Sequence, residues 1–301
     1  MFDLRYYQNK HNRRNKRIDC SFLLSESVEK SIDLKILDTI FDDDDEQFIQ
    51  LITQNSDDIL KSNKKIISKN IVLPCFLQDD PSYASLCACF SAEKCLNALS
   101  MLLPAGLKSE EMGILDNFQR SLIHFACIGG NLNIIRELEQ AEYDLNAKDR
   151  EKYLPSHYAA MAGQYDVIKY LWTKGADLFS LSITKLFSPV HISCLYGYID
   201  IVKFLCETVS HVKEIQNLSD SDFIENPFVA KNHSTTPLHC ACFGGHDNIV
   251  DYFISLPLIF DIQINELDMN SRNPLLCACY NGSLSCVKSL INSGNKKIKL
   301  N

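Results

Sequence analysis

Residues 236–245 read Thr-Pro-Leu-His-Cys-Ala-Cys-Phe-Gly-Gly. The first four return as Ser121-Leu122-Ile123-His124, Leu154-Pro155-Ser156-His157 and Ser188-Pro189-Val190-His191, with a degenerate copy at Asn273-Pro274-Leu275-Leu276. A glycine stands six residues after the last position of each copy, at Gly130, Gly163, Gly197, Gly245 and Gly282, and successive copies lie 33, 34, 48 and 37 residues apart. Self-similarity at such a period marks stacked units. Proline at the first turn of a helix costs no hydrogen bond, because that N–H has no partner inside the helix, and a preceding Ser, Thr or Asn caps it. Pro155, Pro189, Pro237 and Pro274 therefore mark helix starts, and the glycines permit a left-handed turn into a second helix. A helix of about eight residues is marginal alone in water, so each unit depends on the next. Small residues such as Ala126, Cys127, Ala159, Ala160, Ser193, Cys194, Ala241 and Ala278 let neighbouring helices approach closely.

These residues resemble the ankyrin repeat, whose consensus runs Asp-x-x-Gly-x-Thr-Pro-Leu-His-x-Ala-Ala-x-x-Gly-His and ends Leu-Leu-x-x-Gly-Ala-Asp. Asp166 to Trp172 and Asp247 to Ile254 read as second helices, and Gly175-Ala176-Asp177 as an ending. Two of the four intervals match the ankyrin period of about 33 residues, and the longest equals one repeat plus about 14 inserted residues. A weaker unit upstream, with Tyr83-Ala84-Ser85-Leu86 and Ala92, lacks the proline, histidine and glycine. The phenylalanine- and cysteine-rich first helices are similar to those of the large ankyrin-repeat families of parasitic protists. The resemblance implies an all-α ankyrin-repeat solenoid, with helix-turn-helix repeats joined by hairpin loops and an N-terminal helical cap. The expected organisation is a basic, flexible segment at 1–30, a helical preface or eroded capping repeat at 31–80, and an ankyrin domain at 81–301. Its six units are 81–115, 116–148, 149–182, 183–230 with the insertion at about 210–230, 231–267 and 268–301.

A chain of 301 residues, 46% hydrophobic and 23% charged, can bury a core. Its net charge of −8 has the wrong sign for a surface that tracks nucleic acid throughout. Nucleic-acid contact is expected, if anywhere, only through Lys10 to Arg17, where five of eight residues are Lys or Arg; a solvated tail is the first reading of that segment and a nuclear signal the second. Thirteen scattered cysteines fit a reducing compartment better than a disulfide scaffold. No run reaches the roughly 18 apolar residues of a membrane span, and no signal-peptide core follows Met1. The expected compartment is the cytoplasm, with the nucleus as the alternative.

The chemistry-bearing residues read as structural. His124, His157, His191 and His239 recur on helices about 8 to 10 Å apart, too far to share a metal that needs His nitrogens at about 2.0 to 2.1 Å. The ankyrin resemblance gives this histidine a hairpin-bonding role. In Cys87/Cys89, Cys240/Cys242 and Cys277/Cys279 the two sulfurs of each pair point about 200° apart on a helix, so all six read as buried apolar filler. The acid run Asp42 to Glu46 lacks the glycine and the twelfth-position glutamate of a calcium loop and reads as a solvated turn. No nucleophile, phosphate-cradling or zinc motif is present. No catalytic, cofactor or metal residues are assigned.

One row is less easily explained by packing. Four residues past each histidine position, where the resemblance places the concave groove, stand Phe90, Ile128, Met161, Leu195, Phe243 and Tyr280, with Tyr196 beside them. Just before the cap positions stand Arg120, Tyr153, Phe187 and Arg272, with Phe118 and Met269 at hairpin tips. An exposed strip of this composition is expected to bind a protein or peptide without catalysis; the competing reading is that these side chains fill gaps or cover one another. Other functional readings are a recognition arm of a larger enzyme and a nuclear regulator. After Cys286, Val287, Leu290 and Ile291 only Ser293 to Asn301 remains to cover the last repeat, with Ile298 and Leu300 as partial cover, so the expectation is either a truncated chain or self-association through that repeat, in a protein otherwise expected to be a monomer.

Overall fold

The computed structural model describes residues 32–54, 82–102, 106–108, 115–183, 186–216, 235–256 and 264–297. Lys10 to Arg17, residues 217–230 of the expected insertion, and Ile298 and Leu300 lie outside them. Among the described residues regular structure is helical throughout, and the chain divides into two compact units, Met1–Tyr170 and Leu171–Asn301.

The first unit holds α1 (Ile32–Asp42), α2 (Asp45–Gln54), α3 (Tyr83–Cys89), α4 (Glu93–Met101), α5 (Leu122–Gly129), α6 (Leu132–Gln140), α7 (Pro155–Ala162) and α8 (Tyr165–Thr173), whose last turn belongs to the second unit. Helices α3, α5 and α7 stack in sequence order, with α4 paired to α3 and α6 to α5. The stack begins on the preface, where Ile36, Leu37 and Ile40 of α1 and Phe48 and Ile52 of α2 form a small apolar core. Phe48 meets Tyr83 edge-on at 6.5 Å. The preface also completes its neighbour's backbone hydrogen bonding. The N-cap of α4 is Ala92, which has no capping side chain, and Asp43 Oδ1 instead accepts the N–H groups of Lys94 and Cys95 at 3.0 and 3.2 Å. Asp44 caps α2 through the N–H of Gln47. The acid run is therefore not simply a solvated turn: two of its carboxylates satisfy helix N-termini, a role typically worth about 1 kcal/mol each. Glu46, Gln47, Gln50 and Thr53 of α2 are exposed, the polar face a capping unit needs.

The second unit holds α9 (Pro189–Tyr196), α10 (Ile199–Gln216), α11 (Pro237–Gly244), α12 (Asp247–Ser255), α13 (Pro274–Asn281) and α14 (Leu284–Lys297). Helices α9, α11 and α13 stack in order, with α10, α12 and α14 behind them. The turn glycines at 130, 163, 197, 245 and 282 all have φ between +73° and +86°. In the weakest repeat Ser91 takes that conformation, with φ +61°, and its hydroxyl donates to Gly129 O at 3.0 Å. Two further glycines are needed for a different reason. A Cβ on Gly129 would lie well inside van der Waals contact distance of Ala88 O, and one on Gly244 equally so of Leu195 O. At these points the backbones of successive repeats touch. Helix α10 runs for 18 residues, twice the length of α8 or α12. Residues 210–216, the opening part of the expected insertion, thus continue the helix, since no glycine or proline interrupts them.

Cysteine fills the tight places between stacked helices. Cys87, Cys89, Cys127, Cys194, Cys240 and Cys242 are buried, as is Cys277. Cys279 is exposed, which corrects its reading as filler. The equivalent Cys242 is covered by α13, while no described helix lies over α13 on that side. Burial pushes the Cys127 thiol well up, and Cys95 and Cys206 up to about 12. Because the thiolate is the reactive form, Cys127 and Cys240 should resist a maleimide in the native protein and react within the mixing time in denaturant. Peptide mapping of the adducts checks this.

Candidate partner-binding groove

The hairpin loops that precede the first helices are organised by an aspartate. Asp116 Oδ1 accepts the N–H groups of Phe118 and Arg120 at 3.0 and 2.8 Å, Asp149 Oδ1 those of Glu151 and Tyr153 at 2.8 and 2.7 Å, and Asp268 Oδ1 those of Asn270 and Arg272 at 2.9 Å each. The next-to-last residue of each turn is left-handed, Gln119 at φ +61°, Lys152 at +61° and Ser271 at +56°, where the ankyrin consensus has glycine. Each turn aims the residue before the helix cap inward, and this decides the fate of the expected tip residues.

Arg120 is 4% exposed. Its Nε and Nη2 donate to Asp116 Oδ2 at 2.7 and 2.6 Å, and its guanidinium lies over the rings of Phe125 at 4.8 Å, Phe118 at 5.3 Å and Tyr158 at 5.9 Å. Tyr153 is also buried and meets His157 edge-on at 5.3 Å. Neither residue is available to a partner, which corrects their assignment as hairpin-tip binders. Both are anchors of the turn. Phe118 and Phe187 are half-buried, the latter stacked on His191 at 5.6 Å. Arg272 repeats the Arg120 arrangement at a more open place, its side chain 32% exposed. Burial opposes ionisation of Asp268, but hydrogen bonds from the Arg272 guanidinium and from the Arg272 and Asn270 N–H groups hold its carboxyl below the usual value.

The histidines face away from this surface. Nδ1 of His124, His157, His191 and His239 accepts the N–H of Ser121, Leu154, Ser188 and Thr236 at 3.0 to 3.3 Å, the service a glutamate gives in a capping box. Nε2 of His124 reaches Ala147 O at 3.1 Å, and that of His239 reaches Glu266 O and Arg272 O at 3.1 and 2.9 Å. The rings of His124 and His239 thus tie a helix start to the following hairpin.

The apolar row closes in the first unit and opens in the second. Ile128 and Met161 are each only 7% exposed, and Phe90 is half-buried against Phe41 with ring centroids 4.7 Å apart. In the second unit Tyr196 is buried, Leu195 and Phe243 are half-buried, and Tyr280 is 76% exposed. The continuous exposed strip expected from the sequence is therefore not present; at Ile128, Met161 and Tyr196 the repeats approach closely enough to cover these side chains. Part of that closeness comes from the residue after two of the turn glycines, Gly163 and Gly245. Gln164 Nε2 donates to Ile128 O at 2.8 Å, and His246 Nε2 bonds Leu195 O at 3.1 Å. What remains open is one patch in the second unit. Phe243 and Tyr280 stack at 5.8 Å with planes 15° apart, and the preceding Asp268 hairpin exposes Met269 by 67% and Leu267 by 45%. Leu267 was missed in the sequence because it lies outside the repeated motif. Exposed Leu276 was signalled by the loss of the motif histidine.

Short helix pairs stacked in register, with hairpins locked by aspartate and histidine, define an all-α repeat protein whose elements present side chains for binding. A family profile described as "Ankyrin repeats (3 copies)" matches residues 86–182, 183–255 and 211–301, and the chain belongs to the ankyrin repeat family, an all-α solenoid that serves as a protein-interaction module. Transient receptor potential cation channel subfamily A member 1 of Drosophila melanogaster is 33% identical over 146 residues, covering 48% of this chain and 11% of that protein. Palmitoyltransferase AKR1 of Lachancea kluyveri is 26% identical over 174 residues, covering 57% and 22%. Target of rapamycin complex 2 subunit AVO2 of Saccharomyces cerevisiae is 28% identical over 174 residues, covering 56% and 36%. The match thus spans well under half of these relatives' own length. Among the described residues no helix is long and apolar enough to cross a membrane.

Proposed function

We propose that the repeats bind a protein or peptide non-catalytically, with the Phe243–Tyr280 stack as the anchor and Met269, Leu267 and Arg272 as its flank. The observation that carries this reading is an exposed Tyr280 stacked on a half-buried Phe243, on the helix that follows the hairpin carrying Arg272 and the exposed Leu267 and Met269, a composition typical of interface hot spots. Leu195, Tyr196, Phe90, Ile128 and Met161 serve as the packed wall of the groove in their respective units, and Phe118 and Phe187 as its hairpin edge. A preformed surface loses little ordering free energy on binding. The compartment proposed is the cytoplasm, on the strength of cysteine usage.

The test is affinity capture with the full chain, wild type against a Phe243→Ser, Tyr280→Ser double variant, read by quantitative mass spectrometry. Partners held by the patch should be depleted about tenfold or more. The melting temperature should fall by no more than about 8 °C, because Tyr280 is exposed and only the half-buried Phe243 gives up packing. Equal capture by both proteins removes the patch from the mechanism. The channel and the palmitoyltransferase among the relatives favour a second form of this reading, in which the repeats are the recognition arm of a larger protein.

A further inference from the structure

In each hairpin organised by an aspartate, three positions face solvent: the residue before the aspartate, the residue after it, and the left-handed residue near the end of the turn. Around Asp116 these are Leu115, Asn117 and Gln119, and around Asp268 they are Leu267, Met269 and Ser271, all exposed and all uncharged. Around Asp149 all three are exposed cations, Lys148, Arg150 and Lys152. The turn does not require them. It is held from inside by the Asp149 carboxylate, and Gln119 and Ser271 take the same left-handed conformation as Lys152 without a charge. Nor are the charges neutralised within the chain, since among the described residues none of the three side chains takes part in an ion pair or a hydrogen bond.

The acids of this segment do not cancel the patch. Asp149 is 6% exposed, and its Oδ2 accepts the Tyr158 hydroxyl at 2.7 Å. Glu151 is half-buried and has a contact of its own. Asp144 is exposed, with its Oδ1 on the Asn146 N–H at 2.8 Å, so the surface of this segment carries three cations against one acid. In a chain of net charge −8 such a local excess attracts an anionic partner against the overall field. The preceding hairpin lies alongside, because the Arg150 N–H donates to Phe118 O at 2.8 Å. That contact places the exposed Asn117 and Gln119 next to the cations. Amide side chains both donate and accept hydrogen bonds, as a peptide main chain does.

We propose that the Asp149 hairpin and the tip beside it form a docking surface for an acidic segment of a protein partner, with Lys148, Arg150 and Lys152 facing its carboxylates and Asn117 and Gln119 its main chain. A short acidic peptide fits better than a nucleic acid. A polyanion of even charge density that ran beyond this hairpin would meet a chain in which 38 acids outnumber 30 Lys and Arg. The surface lies in the first unit and shares no residue with the Phe243–Tyr280 patch of the second, so either can fail without the other.

The test is fluorescence anisotropy of a labelled hexaglutamate peptide, and of its hexaglutamine counterpart, titrated with the full chain. The acidic peptide should bind, and the neutral one should bind at least about tenfold more weakly. Affinity for the acidic peptide should fall several-fold as salt rises from about 0.05 M to about 0.3 M, because exposed charges are screened. Both readings use the wild-type chain and hold whatever a variant does to folding. The triple variant Lys148→Gln, Arg150→Gln, Lys152→Gln should lose about tenfold in affinity. A control with the same change of charge at exposed lysines elsewhere, Lys35→Gln, Lys94→Gln, Lys288→Gln, should lose less than about twofold. Absence of binding by the acidic peptide overturns the proposal, as does an equal loss in the control, which would trace the effect to net charge alone. A labelled single-stranded oligonucleotide of matching charge that binds more tightly than the peptide, and is lost with the same triple variant, also overturns it and assigns the hairpin to nucleic acid.

Discussion

Replacing Arg120 with alanine should cost about 3 to 5 kcal/mol of folding stability, read as a large drop in the urea midpoint. The magnitude follows from what the guanidinium leaves behind. Asp116, 4% exposed in its side chain, keeps two backbone N–H donors but loses the only counter-charge within contact distance that the turn supplies. Removing one partner strands the other charge away from water, which costs more than the pair contributes when both are present. The faces of Phe118, Phe125 and Tyr158 would lose their cation at the same time, at about 0.5 to 2 kcal/mol for each well-placed contact. The double variant Asp116→Asn, Arg120→Met should recover most of the loss, because neither charge is then buried. Arg272→Ala should cost clearly less than Arg120→Ala, since water already reaches the Arg272 side chain, 32% exposed. Were Arg120 a partner-binding residue, its alanine variant would lose capture while melting normally. A urea midpoint within error of the wild type would refute the structural assignment.

That contrast shows where the sequence is legible. Helix starts at Pro155, Pro189, Pro237 and Pro274 and left-handed turns at the glycines six residues after each motif position could be read directly, because a missing N–H and a missing Cβ act locally and need no neighbour. The exposure of Ile128 and Met161 could not, because periodicity assigns a residue to a face but says nothing of how near the next repeat stands. Gly129 and Gly244 set that distance, and the doubled glycine was visible without being informative until the facing carbonyls of Ala88 and Leu195 were located. Arg120 and Arg272 share one local signal, an aspartate four residues earlier, and only the surroundings make one buried and the other open. Asp43 gave no local sign of capping α4, since its two backbone partners lie 51 and 52 residues away.

Acidification from pH 6.5 toward pH 4 should destabilise the chain, and His124 should account for a large share of the loss. Its Nδ1 accepts the Ser121 N–H at 3.0 Å and its Nε2 faces Ala147 O at 3.1 Å, so the fitting form is the neutral ring with its proton on Nε2. A second proton on Nδ1 would point at a donor. Burial, opposed by the Ala147 and Ser121 backbone bonds, pushes the His124 pKa from 6.5 down to about 4. His239, whose ring makes the same kind of contacts in the second unit, is also lowered, first of all by burial. With a depressed folded-state pKa the unfolded chain takes up the proton first, so stability rises with pH between about 4 and 6.5. The contribution is whole above the unfolded pKa and is lost as pH falls through the window, at up to about 1.4 kcal/mol per pH unit and about 3 kcal/mol in total for His124. Asp268, held below its ordinary value, begins to matter only under that window. Asp149 and Glu137, which burial raises, work in the opposite direction, so the decisive measurement is a difference. Unfolding free energies of wild type and His124→Gln, measured by urea titration from pH 4 to 7.5, should differ in slope by up to one proton per molecule. Parallel curves would mean that His124 is protonated in the folded state as readily as in the unfolded chain, and that its ring does not cap the helix in the neutral form.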